Sequence, residues 1–189
     1  METNYPNNIY DYYRKNSSFF EERVDSTKRT INYVLIGVCV LLLIFPSIIP
    51  IGNLLVRIIA VIALLYFGFS AFLGGKDWYN KQSGGKIKEL AIKKFATPER
   101  GTVPGGADDQ NVMSMFANED WAGLSDEPEA NDRPLQLYIH EDVVGKTFYL
   151  QLMRYFSSSD FRGVTEVKVI KEPQYSQYSQ IIKSIKSTS

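Results

Sequence analysis

Ile31–Pro50, INYVLIGVCVLLLIFPSIIP, and Leu54–Leu73, LLVRIIAVIALLYFGFSAFL, decide how the rest of this chain is read. A helix needs about 20 mostly apolar residues to cross the hydrocarbon core of a bilayer, and each stretch supplies them. From Thr30 to Gly75 the one charged side chain is Arg57. Between the stretches, Pro46-Ser47-Ile48-Ile49-Pro50-Ile51-Gly52-Asn53 carries helix breakers and no charge, and it reads as a tight turn at the far membrane surface. The expectation is a membrane α-helical hairpin with spans over 31–50 and 54–73. A polar segment of about 30 residues precedes the first run and a second run follows at once, which argues against a cleaved signal peptide.

Lysine and arginine placement orients the hairpin. Arg23, Lys28 and Arg29 precede it; Lys76, Lys81, Lys86, Lys88, Lys93 and Lys94 follow it; the turn has none. Cationic loops stay on the cytoplasmic side, so both termini of this multi-pass protein are expected there, in the inner (plasma) membrane if the source is bacterial. Arg57 is the candidate functional residue of the membrane segment. It either lines a pore or pairs with an acidic helix, or it snorkels to the far headgroups about one turn past Asn53. Ala60, Ala63, Gly68 and Ala71 are small enough to let a second helix approach closely.

Composition excludes several chemistries. The chain has 189 residues with 21 basic and 21 acidic side chains, so no global field favours nucleic acid, and no nucleic-acid partner is expected. Cys39 is the one cysteine and lies in the first apolar run; His140 is the one histidine. A Cys/His zinc site, a Cys–His dyad and a di-histidine metal site are thereby ruled out within one chain. No catalytic, cofactor or metal site is expected.

Residues 1–17, rich in Asn and Tyr, read as a disordered tail. Ser18-Phe19-Phe20-Glu21 has the form of a capping box and predicts a helix with Phe20, Val24, Thr27 and Ile31 on one stripe, running on into the membrane. Residues 18–75 thus form a juxtamembrane helix and the hairpin. Tyr10, Tyr12, Tyr13, Phe19 and Phe20 before the hairpin, with Trp78 and Tyr79 after it, read as an interfacial aromatic belt. In 76–133 a basic segment precedes an acidic linker. Lys86–Phe95 predicts a short basic helix with Ile87, Leu90, Ala91 and Phe95 on one face, resting on anionic lipid or on the folded domain. Glu119, Asp120, Asp126, Glu127, Glu129 and Asp132 can be drawn as paired carboxylates for acid/base or Mg²⁺ chemistry, but a solvated linker is the reading preferred. Within that linker Val112, Met115, Phe116 and Trp121 suit a short docking helix.

Residues 134–189 predict a small cytoplasmic α/β (α+β) domain in the order strand, helix, strand, helix. Leu135, Leu137 and Ile139 alternate with polar residues, a strand pattern. Val144, Phe148, Leu152 and Tyr155 recur at helical spacing, although Lys146–Phe156 can also be drawn as a long strand joined in a hairpin through Val144-Gly145. A second strand is expected over Val164–Ile170. A last helix follows Pro173, with Tyr175, Tyr178, Ile182 and Ile185 on one face. A two-stranded sheet is marginal alone, so a third strand or another subunit is expected to complete it.

Three motifs each match a known chemistry only in part. Gly145-Lys146-Thr147 ends like a phosphate-binding loop, but His140 stands where the loop's first glycine belongs. Arg133 and His140 have an Arg-x6-His spacing that also occurs in HEPN-type ribonucleases, which place the pair on a helix; here Pro134 and a strand pattern separate them. His140, Asp142 and a serine can be drawn as a triad, with nothing in the sequence to activate one. The function expected is therefore that of a non-enzymatic subunit of a multi-protein membrane assembly. Its partners would be membrane lipid and copies of itself or other membrane subunits. The alternative is a membrane-disrupting effector whose cytoplasmic domain senses a signal and makes the hairpins oligomerise.

Overall fold

The structure, a computed structural model, describes residues 7–73, 75–96, 107–130, 134–157 and 160–187. The chain divides into two compact units, one of residues 22–77 and one built from the segments on either side of it.

The first unit contains two helices long and apolar enough to cross a membrane, α2 (Ser26–Ile44) and α3 (Asn53–Leu73). The Asp25 carboxylate caps α2 by accepting from the Thr27 and Lys28 amides, which starts the helix ahead of the apolar run. The helix also ends before Pro50, where the sequence placed the end of the first span. Proline disfavours helical backbone in the residue before it, and Phe45, just ahead of Pro46, leaves the helix. One 3-10 turn, Pro46–Ile48, and Gly52 at φ 99 complete the reversal. Cys39, Val56, Ala60 and Ala71 are buried, and the Asn32 amide donates to Ser70 Oγ at 2.9 Å. Ala63 and Gly68 are half-buried. The larger apolar side chains, among them Val34, Leu41, Leu54, Ile62, Leu65 and Phe69, are exposed. That inverts the arrangement of a water-soluble bundle.

The second unit is a sheet covered on both faces. Strands β3 (Ile87–Lys94), β4 (Leu135–Asp142) and β5 (Thr147–Ser157) run antiparallel in that order. The free edge of β5 is shared by β6 (Asp160–Gly163) along its C-terminal half and β7 (Lys168–Ile170) along its N-terminal half. One face carries Leu137, Ile139, Phe148, Leu150 and Leu152, with Val112 and Phe116 of α4 (Ala107–Ala117), Trp121 and Leu124 of α5 (Trp121–Asp126), and Tyr175 and Ile182 of α6 (Gln174–Ser184). The other face carries Ile87, Tyr138, Tyr149 and Met153 beneath Ile9 and Tyr13 of α1 (Ile9–Lys15) and Phe20 of β1 (Phe20–Val24). Strand β2 (Lys76–Asn80) pairs with β1 in a separate two-stranded sheet.

Several expectations are corrected here. Residues 7–17, expected to be disordered, contain α1, whose Ile9 and Tyr13 are wholly buried; residues 1–6 lie outside the described ones. The helix expected from Ser18 is strand β1, because Phe20 is drawn in against Tyr13 and Tyr149. The interfacial belt is overturned for Tyr13, Phe20 and Tyr79, which are buried. The basic helix over 86–95 is strand β3. A register shift between Glu89 and Ala91 bulges the strand, so that Ile87 faces one core and Leu90, Ala91 and Phe95 the other. A bulge puts two successive residues on one side, and that spacing imitates a helix.

The helix drawn through 144–156 is strand β5. Residues four apart share a face in a strand as well as in a helix, and with both faces buried the apolar pattern is nearly continuous. The strand expected over 164–170 is β7 alone, and β6 precedes it. The order strand, helix, strand, helix is thereby replaced. The sheet has five strands, so of the two completions expected, a third strand or another subunit, it is further strands of the same chain that complete it. The acidic linker is structured: Asp120 caps α5 at Gly123 N, Glu119 pairs with Lys168 at 3.2 Å, and Glu129 lies 3.7 Å from Lys93. Asp132 and residues 97–106 lie outside the described residues.

Candidate functional site

Arg57 sits in the first turns of α3 and is exposed, while its neighbours Val56 and Ala60 are buried. Being four residues past Asn53, it can reach the turn end of the helix with its long stem. The arrangement supplies one unburied guanidinium on an otherwise apolar flank.

The polar residues of the sheet-containing unit concentrate at the end of β4. Successive strand residues point to opposite faces, so Glu141 departs from His140 and Asp142. Glu141 accepts from Tyr175 Oη and Lys183 Nζ, each at 2.6 Å, and pins α6 to the sheet. That bond raises the Lys183 pKa. Asp142 is wholly buried and accepts from Ser83 Oγ at 2.6 Å, Asn80 Nδ2 at 3.0 Å and the Gly145 amide at 2.8 Å. It ties the turn after β2 to the β4–β5 hairpin. A Cβ on Gly85 would stand 2.0 Å from Asp142 Oδ1, so Gly85→Ala is expected to lower the unfolding midpoint by displacing that carboxylate, at a cost of about 1–3 kcal/mol. Thermal unfolding of the variant measures it, with Gly84→Ala, where a Cβ meets nothing within 4 Å but φ is 70, as the comparison for backbone strain alone.

His140 lies under α1. Its Nδ1 is 3.0 Å from Tyr13 Oη; its Nε2 has no hydrogen-bond partner among the described residues and stands 4.0 Å from Glu89 Oε2. Glu89 also accepts from Tyr10 Oη at 3.3 Å. Burial lowers the His140 pKa from 6.5 to about 4, and it pushes Tyr13 well above the usual phenol value. Between those two histidine values the unfolded chain takes up a proton that the folded chain refuses. Stability attributable to His140 is therefore unaffected above pH 6.5, falls as pH drops toward 4, and changes no further below that. The expected loss between pH 7.5 and pH 5 is about 2 kcal/mol. Chemical denaturation at the two values measures it, and His140→Gln should reduce the difference by that amount.

On the same side of the sheet a cleft of about 220 Å³ opens between α1, the turn after β2, and strands β5 and β7. Its aromatic wall is Tyr12, Phe19, Phe20 and Tyr149. Local sequence pattern carries no sign of it, because its walls are far apart along the chain.

The motifs drawn from the sequence are not assembled as sites. Gly145-Lys146 lies in the hairpin turn between β4 and β5 and Thr147 opens β5, with the Gly145 amide bound to Asp142 and a strand, not a helix, following. His140 meets Tyr13 and not Asp142, and Ser83 donates directly to Asp142, so among the described residues no serine is paired with the histidine. His140 lies on a strand, while Arg133 lies outside the described residues. Among the described residues no group of three or more His, Cys, Asp or Glu side chains could hold a metal ion.

No protein-family model, curated protein or solved structure matches this chain. What defines it is its own architecture, an apolar two-helix unit inserted within a covered antiparallel sheet domain.

Proposed function

We propose that the protein is a non-enzymatic membrane subunit: α2 and α3 cross the bilayer as a hairpin, and the sheet-containing unit is a cytoplasmic interaction domain. One observation carries the reading. Segments before and after the hairpin build a single core, with Tyr13 against His140 and Gln151 Nε2 donating to Asn7 O at 2.8 Å. A domain assembled from both flanks requires both on one side, which an even number of crossings provides. The apolar outer surface of the helices supports the same reading, and the lysines and arginines on both flanks favour the cytoplasmic side. Lipid, copies of the chain or other membrane subunits would cover the helices.

Single cysteines test the topology. In a Cys39→Ser background, Ser47→Cys is expected to react with a membrane-impermeant maleimide on intact cells, whereas Asn7→Cys and Ser187→Cys react after lysis alone. Labelling of the two flanking sites on intact cells would overturn the orientation. Native mass spectrometry in mild detergent tests assembly, and recovery of a lone monomer would end it. The alternative, a membrane-disrupting effector, draws on the exposed Arg57, which side-by-side hairpins would turn toward one another. It requires dye entry on overexpression that Arg57→Leu suppresses, and an absence of leakage would dispose of it.

A further inference from the structure

We propose that the cleft between α1, β5 and β7 binds a small aromatic acid, a planar ring carrying a carboxylate or phosphate. The site lies wholly in the sheet-containing unit and does not depend on the membrane reading. Its floor is Phe20 and Tyr149, both buried, with ring centroids 5.6 Å apart and planes at 79°. Tyr12 leans on Phe20 at 5.8 Å and 54°, and Phe19 stands at the rim, 45% exposed. Tilted rings around a recess receive another ring by the edge-to-face and offset contacts that aromatic pairs favour. An exposed phenylalanine beside that recess has apolar surface to gain from an occupant.

The polar groups then select charge. The Asn80 amide is committed to Asp142 and to the Gln82 backbone, and the Asn16 amide nitrogen to Tyr12 O. Asp142, the carboxylate behind Asn80, is held by three donors and buried. Among the described residues Lys171 and Gln82 line the cleft with side chains bonded to nothing in the domain, and both are exposed. One ammonium and one amide at the mouth of an aromatic recess suit an acid group on a ring. Size agrees: about 220 Å³ is the share of about seven waters, enough for one ring system and its acid and below the range of drug-sized pockets.

The full chain in nanodiscs is titrated by ligand-observed NMR and calorimetry with benzoate, indole-3-carboxylate and phenyl phosphate. Cyclohexanecarboxylate and benzamide serve as probes lacking the flat ring and the charge. Aromatic acids are expected to bind with Kd of about 1 mM or tighter, and the two controls about tenfold more weakly. Preference for benzoate or for phenyl phosphate names the acid group. Lys171→Glu, at an exposed site, should weaken aromatic acids about tenfold without moving the unfolding midpoint, and Phe19→Ala should weaken them severalfold. No binding of any aromatic acid at millimolar concentration, equal binding of cyclohexanecarboxylate, or unchanged affinity in Lys171→Glu would each overturn the proposal.

Discussion

Arg154→Met is expected to destabilise the sheet-containing unit by about 3–5 kcal/mol. Arg154 extends the helix-covered face of β5, and its guanidinium binds the Asp109 carboxylate of α4; the side chains are 5% and 8% exposed. Methionine fills much of the same space but leaves a carboxylate in the interior without its cation, which costs more than the pair itself contributes. Asp109→Leu added to Arg154→Met should therefore recover most of the loss, since the desolvation burden then disappears from both partners. Denaturant unfolding followed by tryptophan fluorescence reads this unit alone, because both tryptophans, Trp78 and Trp121, belong to it. A loss below about 1 kcal/mol would equate the pair with a surface ion pair and detach α4 from the sheet.

Tyr13→Ala should cost a similar amount, about 3–5 kcal/mol. The residue is wholly buried, with ring centroids 4.9 Å from Phe20, 5.4 Å from Trp78 and 5.6 Å from Tyr149. No other element can fill the hole, because α1 is a short helix held to the sheet by this side chain and Ile9. Tyr13→Phe keeps the ring and removes the contact with His140 Nδ1, so its cost should be nearer 1–2 kcal/mol. Hydrogen exchange supplies the local readout. The α1 amides should lose protection in Tyr13→Ala and keep it in Tyr13→Phe. Unchanged stability in both variants would restore the picture of a disordered tail.

How much of this could be read beforehand differs from element to element. The two apolar helices show in composition alone, because no other segment lacks charge for so long. The strands were harder for specific reasons. In β5, Phe148 and Leu152 satisfy a helix and a strand equally, and Tyr149, Gln151 and Met153 on the opposite face are buried as well, which erases the alternation that marks a half-buried strand. In β3 the bulge at Leu90 produces helical spacing in extended chain. Helix α1 is short and rich in polar residues; Ile9 and Tyr13 fix it through contacts with residues more than a hundred positions away, and local pattern carries no trace of such contacts. The same distance hid the cleft, whose walls come from residues 12–20, 80–82, 149 and 169–171. His140 stands out in the sequence as the one histidine, but Tyr13 and Glu89, the groups it faces, come from distant segments and are supplied by the fold.

The joining of residues 7–21 to the sheet also sets a timetable for making the protein. Asn7 must wait for Gln151, 144 residues later, and Tyr13 for His140, 127 residues later. At ordinary rates of chain growth that interval is on the order of ten seconds. The hairpin helices need contacts between near neighbours and can pair early. For that whole interval Ile9, Tyr13 and Phe20 have no sheet to cover. The apolar hairpin is thus ready well before the domain it interrupts, and the segment made ahead of it is among the last to find its place.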